Sequence, residues 1–361
     1  MRLFLMLVLS LATLTAQSES DYLIEEIASD LNEPWSMTFL PDGDYLVSMR
    51  VGELRRVSET GEVSEPLTGV PETYYHSQGG FFDIVLDPEF ETNNVVYLAF
   101  AYGDKKQNAT RVIKANLSET GLENPEEIFT TNVKKDTGAH YGGRIAFLAD
   151  GSMLITTGDG FQYRDASQDP MNEMGKVIRI NRDGSVPEDN PFSGAEREDD
   201  RVYSYGHRNP QGLAVAADGT VYLHEHGPKG GDEVNVIEAG ENYGWPAATY
   251  GVNYSGARVS PHETLPGMID GIKVWVPSIA PSGLAIYEQQ EFSEWQGDLL
   301  VGALAAGGVR RLELEDGTVT AEHNAFPEIT ARVRDVRVDQ AGKIYLLTDG
   351  GKGQLLRVSK Q

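Results

Sequence analysis

One small unit recurs along this chain and limits what it can fold into: an apolar run, a polar turn ending in glycine, and a second apolar run. It occurs at residues 39–47 (FLPDGDYLV), 147–155 (FLADGSMLI), 215–223 (VAADGTVYL) and 338–346 (VDQAGKIYL), the last with Ala341 where the others carry Asp. Each reads as strand, tight turn, strand, because the turn glycine accepts the positive φ that a two-stranded reversal needs. Glycine-rich exits follow: MRVGELRRV, TTGDG, HEHGP and TDGGKGQLLRV. Repetition of one β unit at this scale predicts an all-β, six-bladed β-propeller of four-stranded antiparallel blades, since roughly 340 residues at about 50 to 60 per blade make about six. The rival architectures are a β-helix, which wants shorter and more regular repeats, and a pair of β-sandwiches. No long stretch has a 3.6-residue apolar period, so few helices are expected.

The chain begins MRLFLMLVLSLATLTA and continues with polar QSESD. A short positive start, an apolar run too short to span a bilayer comfortably and small residues at its end predict a secretory signal over 1–18. Residues 19–361 are then expected to form a single propeller domain. There are no cysteines, which excludes disulfides and thiolate metal sites. An exported, disulfide-free protein suits a periplasmic or secreted location, with no membrane insertion. The net charge of −25 argues against a nucleic-acid partner, which needs a basic footprint.

Polar chemistry concentrates at 205–235, YGHRNPQGLAVAADGTVYLHEHGPKGGDEVN, where both open ends of one hairpin carry charged and imidazole groups. His140 and Asp159, about one hairpin apart, have the types of a general base and its orienting carboxylate, though spacing alone favours two unrelated loop residues. Arg208 and Asn209 with His226 offer a guanidinium and an amide for an oxyanion, or an ordinary loop arginine. Gly227-Pro228 and the pair Asp232-Glu233 supply hard oxygen donors of the kind calcium uses, or a solvated turn. Arg332 and Arg334 share one strand face, an arrangement that repels unless an anion or a carboxylate such as Asp335 lies between them. Dinucleotide, P-loop, zincin and nucleophile-elbow motifs do not occur; Gly350-Gly351-Lys352-Gly353 lacks the Ser or Thr that follows a P-loop lysine.

Taken together, GHRNPQGLA, EHGPKGGDEVN and NYGWP resemble the soluble pyrroloquinoline-quinone (PQQ) glucose dehydrogenases and aldose sugar dehydrogenases. So do LNEPWSMTFLPDG, GGFFDIVLDPEF, GGRIAFLADGSMLITTGD, MGKVIRINRDGSVPEDNPF, PSIAPSGLAIY and RVRDVRV, in order across nearly the whole chain. The resemblance implies oxidation of a sugar at its anomeric carbon to a lactone, with PQQ over the channel and Ca2+ at its reactive edge. It implies that His140 is the base, Asp159 its support and Arg208 the group beside the quinone oxygen. Gln78, Asn209 and His226 match positions at the cofactor, His226 standing where the glucose enzymes carry glutamine. Gly227 and Pro228 match the carbonyls on the cofactor's calcium, and Glu233 and Tyr243 match ligands of a second, structural calcium. Arg332 and Arg334 match arginines on the cofactor's carboxylates. The electrons pass on to an acceptor the resemblance leaves open. Ala305 stands where the family has a lysine, a loss that Arg310 and Arg311 are placed nearby to offset. The family's dimer-interface ligands find no clean match at 249–253, so no dimer is expected. The competing expectation is a propeller that has lost the quinone and serves as an extracellular binding module.

Overall fold

The computed structural model describes residues 21–361; the expected signal lies outside them. The described chain forms six antiparallel sheets, five of four strands and one of three. In chain order the innermost strands are Pro34–Phe39, Phe81–Leu86, Gly142–Phe147, Pro210–Val215, Pro281–Ile286 and Val333–Val338. These open blades one to six, which succeed one another along the chain. Blade one has three strands, extended at its outer edge by an isolated antiparallel bridge between Val57 and Val63. Among the described residues, helix is confined to one turn, Phe90–Asn93, and two 3-10 turns. The expected six-bladed propeller is the observed fold.

The four recurrent units are the inner hairpins of blades one, three, four and six, and their turns share one geometry. In each, the residue three before the glycine accepts the glycine N–H, as in Gly43 N–H to Leu40 O at 3.0 Å and Gly219 N–H to Ala216 O at 2.9 Å. The turn aspartate then accepts the N–H two residues on, as Asp150 does from Ser152 at 2.8 Å. Blade six lacks that aspartate, and there Asp339 accepts the Lys343 N–H at 2.9 Å in its place. The turn glycines have φ between 84° and 98°, a region that costs glycine least.

The second strands Tyr45–Met49, Met153–Thr157, Val221–Glu225, Leu299–Ala303 and Ile344–Thr348 are buried along their whole length. A strand covered on both faces has no solvent side, so these runs are mostly apolar without alternation, and their few polar residues, such as Ser48, Thr157, His224 and Glu225, are buried too. The six core clusters of the described residues correspond one to one with the six blade interfaces. Leu46, Leu54, Phe81 and Leu98 join blades one and two, for example, and Val309, Phe326, Val336 and Leu346 join five and six. The ring closes because the N-terminal strand Tyr22–Leu31 supplies the outer strand of blade six, pairing with Gly353–Lys360 from Tyr22↔Lys360 to Leu31↔Gly353.

Ion pairs tie the inner strands together inside the channel. Arg144 reaches Asp335 at 2.9 Å, while Arg337 reaches Asp83 and Asp335, each at 2.8 Å. Arg144 also donates to the Gln211 carbonyl at 2.8 Å, so the belt spans blades two, three, four and six. This corrects the expectation that Asp335 neutralises Arg332 and Arg334. Its side chain lies on the channel side with Arg144 and Arg337.

Candidate active site

All six blades contribute to a cavity of ≈ 370 Å³ at one mouth of the channel. Two structural positions build it. One is the chain just before each inner strand, which supplies Glu33, Gln78, Asn209, Ala280 and Arg332; the other is the exit of the second strand, which supplies Arg50, His226, Leu304 and Asp349. Arg50, His226 and Asp349 each stand seven residues past the turn glycine of their hairpin, and Asp159 stands eight past its own. Both positions fall at the same end of every blade, so a repeat that alternates entry and exit places their side chains around one ring. Trp35, Phe82 and Tyr141 add flat apolar walls.

His140 and Asp159 meet behind this wall. Nδ1 of His140 lies 2.6 Å from Asp159 Oδ1, and both groups are buried. Burial pushes Asp159 up, but its hydrogen bond and charge contact with His140, with Arg208 nearby, leave it net below the usual carboxylate range. An ionised carboxylate can only accept, so Nδ1 carries the proton and Nε2 is left with its lone pair. Asp159 is itself held by Trp245 Nε1–H at 2.8 Å and by the Phe161 N–H at 2.7 Å. Burial lowers His140 to about 4 despite the opposing pull of Asp159, with Arg208 and His226 lowering it further; at neutral pH it is an uncharged base. Its backbone N–H donates to Gln78 Oε1 at 2.8 Å, joining the base to the cavity lining.

Backbone strain gathers here as well. Of the non-glycine residues with positive φ, Glu33, Ser77 and Ala280 line the cavity, His140 is held by the lining residue Gln78, and Phe161 packs on His140. Such conformations are unfavourable for L-residues and collect where function overrides local preference.

Arg208 lies over the Trp245 ring at 5.2 Å and donates through Nη1 to the His226 carbonyl at 2.9 Å and the Gly227 carbonyl at 2.6 Å. Behind it His207 bridges Ser204 and Glu225, each at 2.9 Å, and stacks on Tyr243 with ring centroids 4.7 Å apart. His226 Nε2 is 2.6 Å from the Pro281 carbonyl, which only accepts, so that nitrogen carries the proton. Asp349 binds both family-matched arginines: Arg332 at 2.9 Å and Arg334 at 2.7 Å. Two guanidinium groups share one carboxylate, leaving this end of the cavity with one positive charge in excess.

The structure separates the remaining residues. Glu233 faces Glu225 across the strand pair; burial first, then Glu225, Asp270 and Asp232, raise its proton affinity well above the usual range. The Tyr243 hydroxyl is engaged within its own blade, donating to the Val236 carbonyl and accepting from the Glu238 N–H, both at 2.7 Å. Among the described residues no group of three or more His, Cys, Asp or Glu side chains is arranged around a metal position. Ala305 contributes its N–H to the Ile279 carbonyl at 2.9 Å and no charge. Arg310 and Arg311 do not replace the missing lysine. They turn to Glu322 at 3.6 Å and to Asp298 and Glu313 at 2.9 and 2.5 Å, away from the cavity. Besides Arg332 and Arg334, the cavity is lined by a third cation, Arg50, paired with Glu33 at 2.6 Å. Arg50, Asp349 and Trp245 escaped the sequence reading, although the seven-residue spacing after each turn glycine marks the first two.

Residues 31–357 match the family model "Glucose / Sorbosone dehydrogenase". The chain is 38% identical over 346 residues to aldose sugar dehydrogenase YliI of Escherichia coli K12, covering 93% of this chain and 92% of that protein. A crystal structure of a glucose dehydrogenase superposes with a TM-score of 0.91 at 39% identity, over 94% of this chain and all of the other. The PQQ-bound form of an aldose sugar dehydrogenase from Streptomyces coelicolor superposes with a TM-score of 0.75 at 29% identity, over 94% and 98% of the two chains. With a propeller continuous across that match and a buried base at its channel mouth, the chain belongs to the glucose/sorbosone dehydrogenase family.

Proposed function

We propose that this protein oxidises aldose sugars at the anomeric carbon to lactones, with PQQ in the channel-mouth cavity, and that it works in the periplasm or as a secreted protein. The observation that carries this reading is the His140–Asp159 pair, a neutral and oriented imidazole set against a cavity with an anion-binding end. The donor set suits a flat polyanion: Trp35, Phe82 and Tyr141 provide apolar faces, and Arg332 and Arg334 hold a single carboxylate between them. Bound there, the quinone supplies a two-electron acceptor for hydride. His140 Nε2 takes the proton of the anomeric hydroxyl, Asp159 stabilises the imidazolium that results, and the C–H bond gives up its electron pair as the carbonyl of the lactone forms. Arg208 is placed to stabilise negative charge developing at an oxygen beside it.

Calcium is part of the reading. Gly227 and Pro228 offer backbone oxygens of the type calcium takes, and Arg208 holds the Gly227 oxygen at 2.6 Å. A second, structural calcium at Glu233 and Tyr243 rests on the resemblance: Glu225, Asp270 and Asp232 crowd Glu233, yet among the described residues no three carboxylates converge on a metal position there. The test is reconstitution. Protein stripped of metal is loaded with PQQ and calcium, and dye reduction is followed over a panel of aldoses. Turnover that needs both additions is the expected result; quinone binding without turnover on any sugar would favour a non-catalytic binding module.

A further inference from the structure

Phe161 occupies the left-handed backbone region at φ 68°, directly after Gly160 at φ 67°. A bulky side chain is an outlier there, where glycine would sit without strain. Burial does not offset that strain, because the residue is 45% exposed. Neither local preference nor core packing therefore accounts for a phenyl group at this position. What the ring does touch is the base: its centroid lies 5.1 Å from that of His140, with the ring planes at 82°. The turn that strains Phe161 also aims its N–H at Asp159 Oδ1. The same backbone kink thus fixes the carboxylate behind His140 and stands an aromatic ring beside the imidazole, partly open to solvent. His140 itself is only 4% exposed, so a molecule that reaches its ring from this side meets Phe161.

We infer that Phe161 is a substrate-contacting residue, the wall on which the C–H-rich face of an aldopyranose rests while its anomeric hydroxyl meets His140. Pyranose rings present hydroxyls at their rim and an apolar C–H patch on at least one face, and an aromatic ring is the side chain best matched to such a patch. Rigid aromatic walls with few polar groups are also how small-molecule sites fix orientation. The inference rests on the sugar-oxidising reading above.

Phe161→Gly separates substrate contact from a structural role, because it removes the ring and the backbone strain together. The expected result is a Tm equal to or above that of the parent, unchanged PQQ affinity, and kcat/KM for aldoses lower by roughly ten-fold or more, expressed mainly in KM. Phe161→Tyr, which keeps the aromatic face, should hold KM near the parent value. A KM for Phe161→Gly within about two-fold of the parent, or a changed pH profile with unchanged KM, would mean that the ring merely shields the base, and the inference falls. A parent protein that turns over no aldose when loaded with PQQ and calcium overturns this inference together with the proposed function. A working parent with an indifferent glycine variant overturns this inference alone.

Discussion

Replacing Asp159 by asparagine tests the arrangement around His140 more sharply than any truncation. Three donors converge on this carboxylate. His140 Nδ1–H and the Phe161 N–H reach Oδ1 at 2.6 and 2.7 Å, and Trp245 Nε1–H reaches Oδ2 at 2.8 Å. An asparagine has one acceptor oxygen for these two positions. If the oxygen faces Trp245, the amide NH2 faces His140 and Phe161: the Phe161 N–H loses its acceptor, and the imidazole must present Nδ1 as an acceptor and carry its proton on Nε2. That tautomer has no base to offer the substrate. If the oxygen faces His140, the amide NH2 opposes the Trp245 N–H, leaving a buried donor unpaired at a cost of about 1–3 kcal/mol. Tautomer selection by one carboxylate is worth on the order of 10⁴ in kcat in a serine-protease triad, and general-base catalysis as a whole about 10² to 10⁴. Asp159→Asn should therefore lower kcat by on the order of 10³, close to the floor set by His140→Ala. Steady-state dye reduction over pH 5 to 9 is the assay, with PQQ affinity measured beside it. Because His140 is already neutral throughout that range, higher pH should not restore the variant. A kcat within ten-fold of the parent, or recovery at high pH, would refute the tautomer argument.

Two further outcomes follow from buried charges and imidazoles. Burial holds His224 near 3 and His140 near 4, both below the ordinary histidine value of 6.5. The unfolded chain thus takes up protons that the folded chain refuses, and stability that is complete above about pH 6.5 is lost as pH falls toward 4, by about 3 kcal/mol for each histidine. His224→Asn should flatten the fall in urea midpoint between pH 7 and 4.5, and an identical fall in the variant would refute this source. In the channel, Asp335→Ala leaves Arg144 and Arg337 to share Asp83 as their one remaining carboxylate, a buried excess of positive charge that should cost about 3 kcal/mol in urea unfolding; a loss under about 1 kcal/mol would show the belt to be dispensable.

The sequence exposed the fold wherever a blade turns through an Asp-Gly reversal and hid it elsewhere. Blade two joins its inner strands through the helical turn Phe90–Asn93 and blade five through the 3-10 turn Ser293–Trp295, so neither presents the recurrent signature. The outer strand of blade six was illegible for another reason: its partner lies at the far end of the chain, and no local pattern encodes that pairing. In the site, residues carried by distinctive motifs were legible. Gln78, Asn209, His226, Arg332 and Arg334 line one cavity and His140 meets Asp159. Partnerships between blades were not. Arg332 and Arg334 are bridged by Asp349 rather than Asp335, because strand alternation turns Asp335 into the channel. Arg310 and Arg311 lie near Ala305 in sequence, yet their carboxylate partners draw them to the outer part of blade five.

The pairing of Tyr22–Leu31 with Gly353–Lys360 also orders events during synthesis. The earliest strand of the propeller is made long before its only sheet partner, while five of the six blade interfaces can form as the chain grows. Until the last eight-residue strand arrives, the nascent arc keeps one face of blade one uncovered and one strand edge unpaired, the state most open to aggregation and proteolysis. Loop closure over nearly the whole chain is slow but adds little entropy per doubling of length. Once it is made, the Gln361 N–H donates to the Asp21 carbonyl at 3.0 Å, bringing residues 21 and 361 side by side. A short covalent link there would allow new ends to be cut at an exposed turn such as the one at Gly194, making a circular permutant whose earliest strand no longer has to wait.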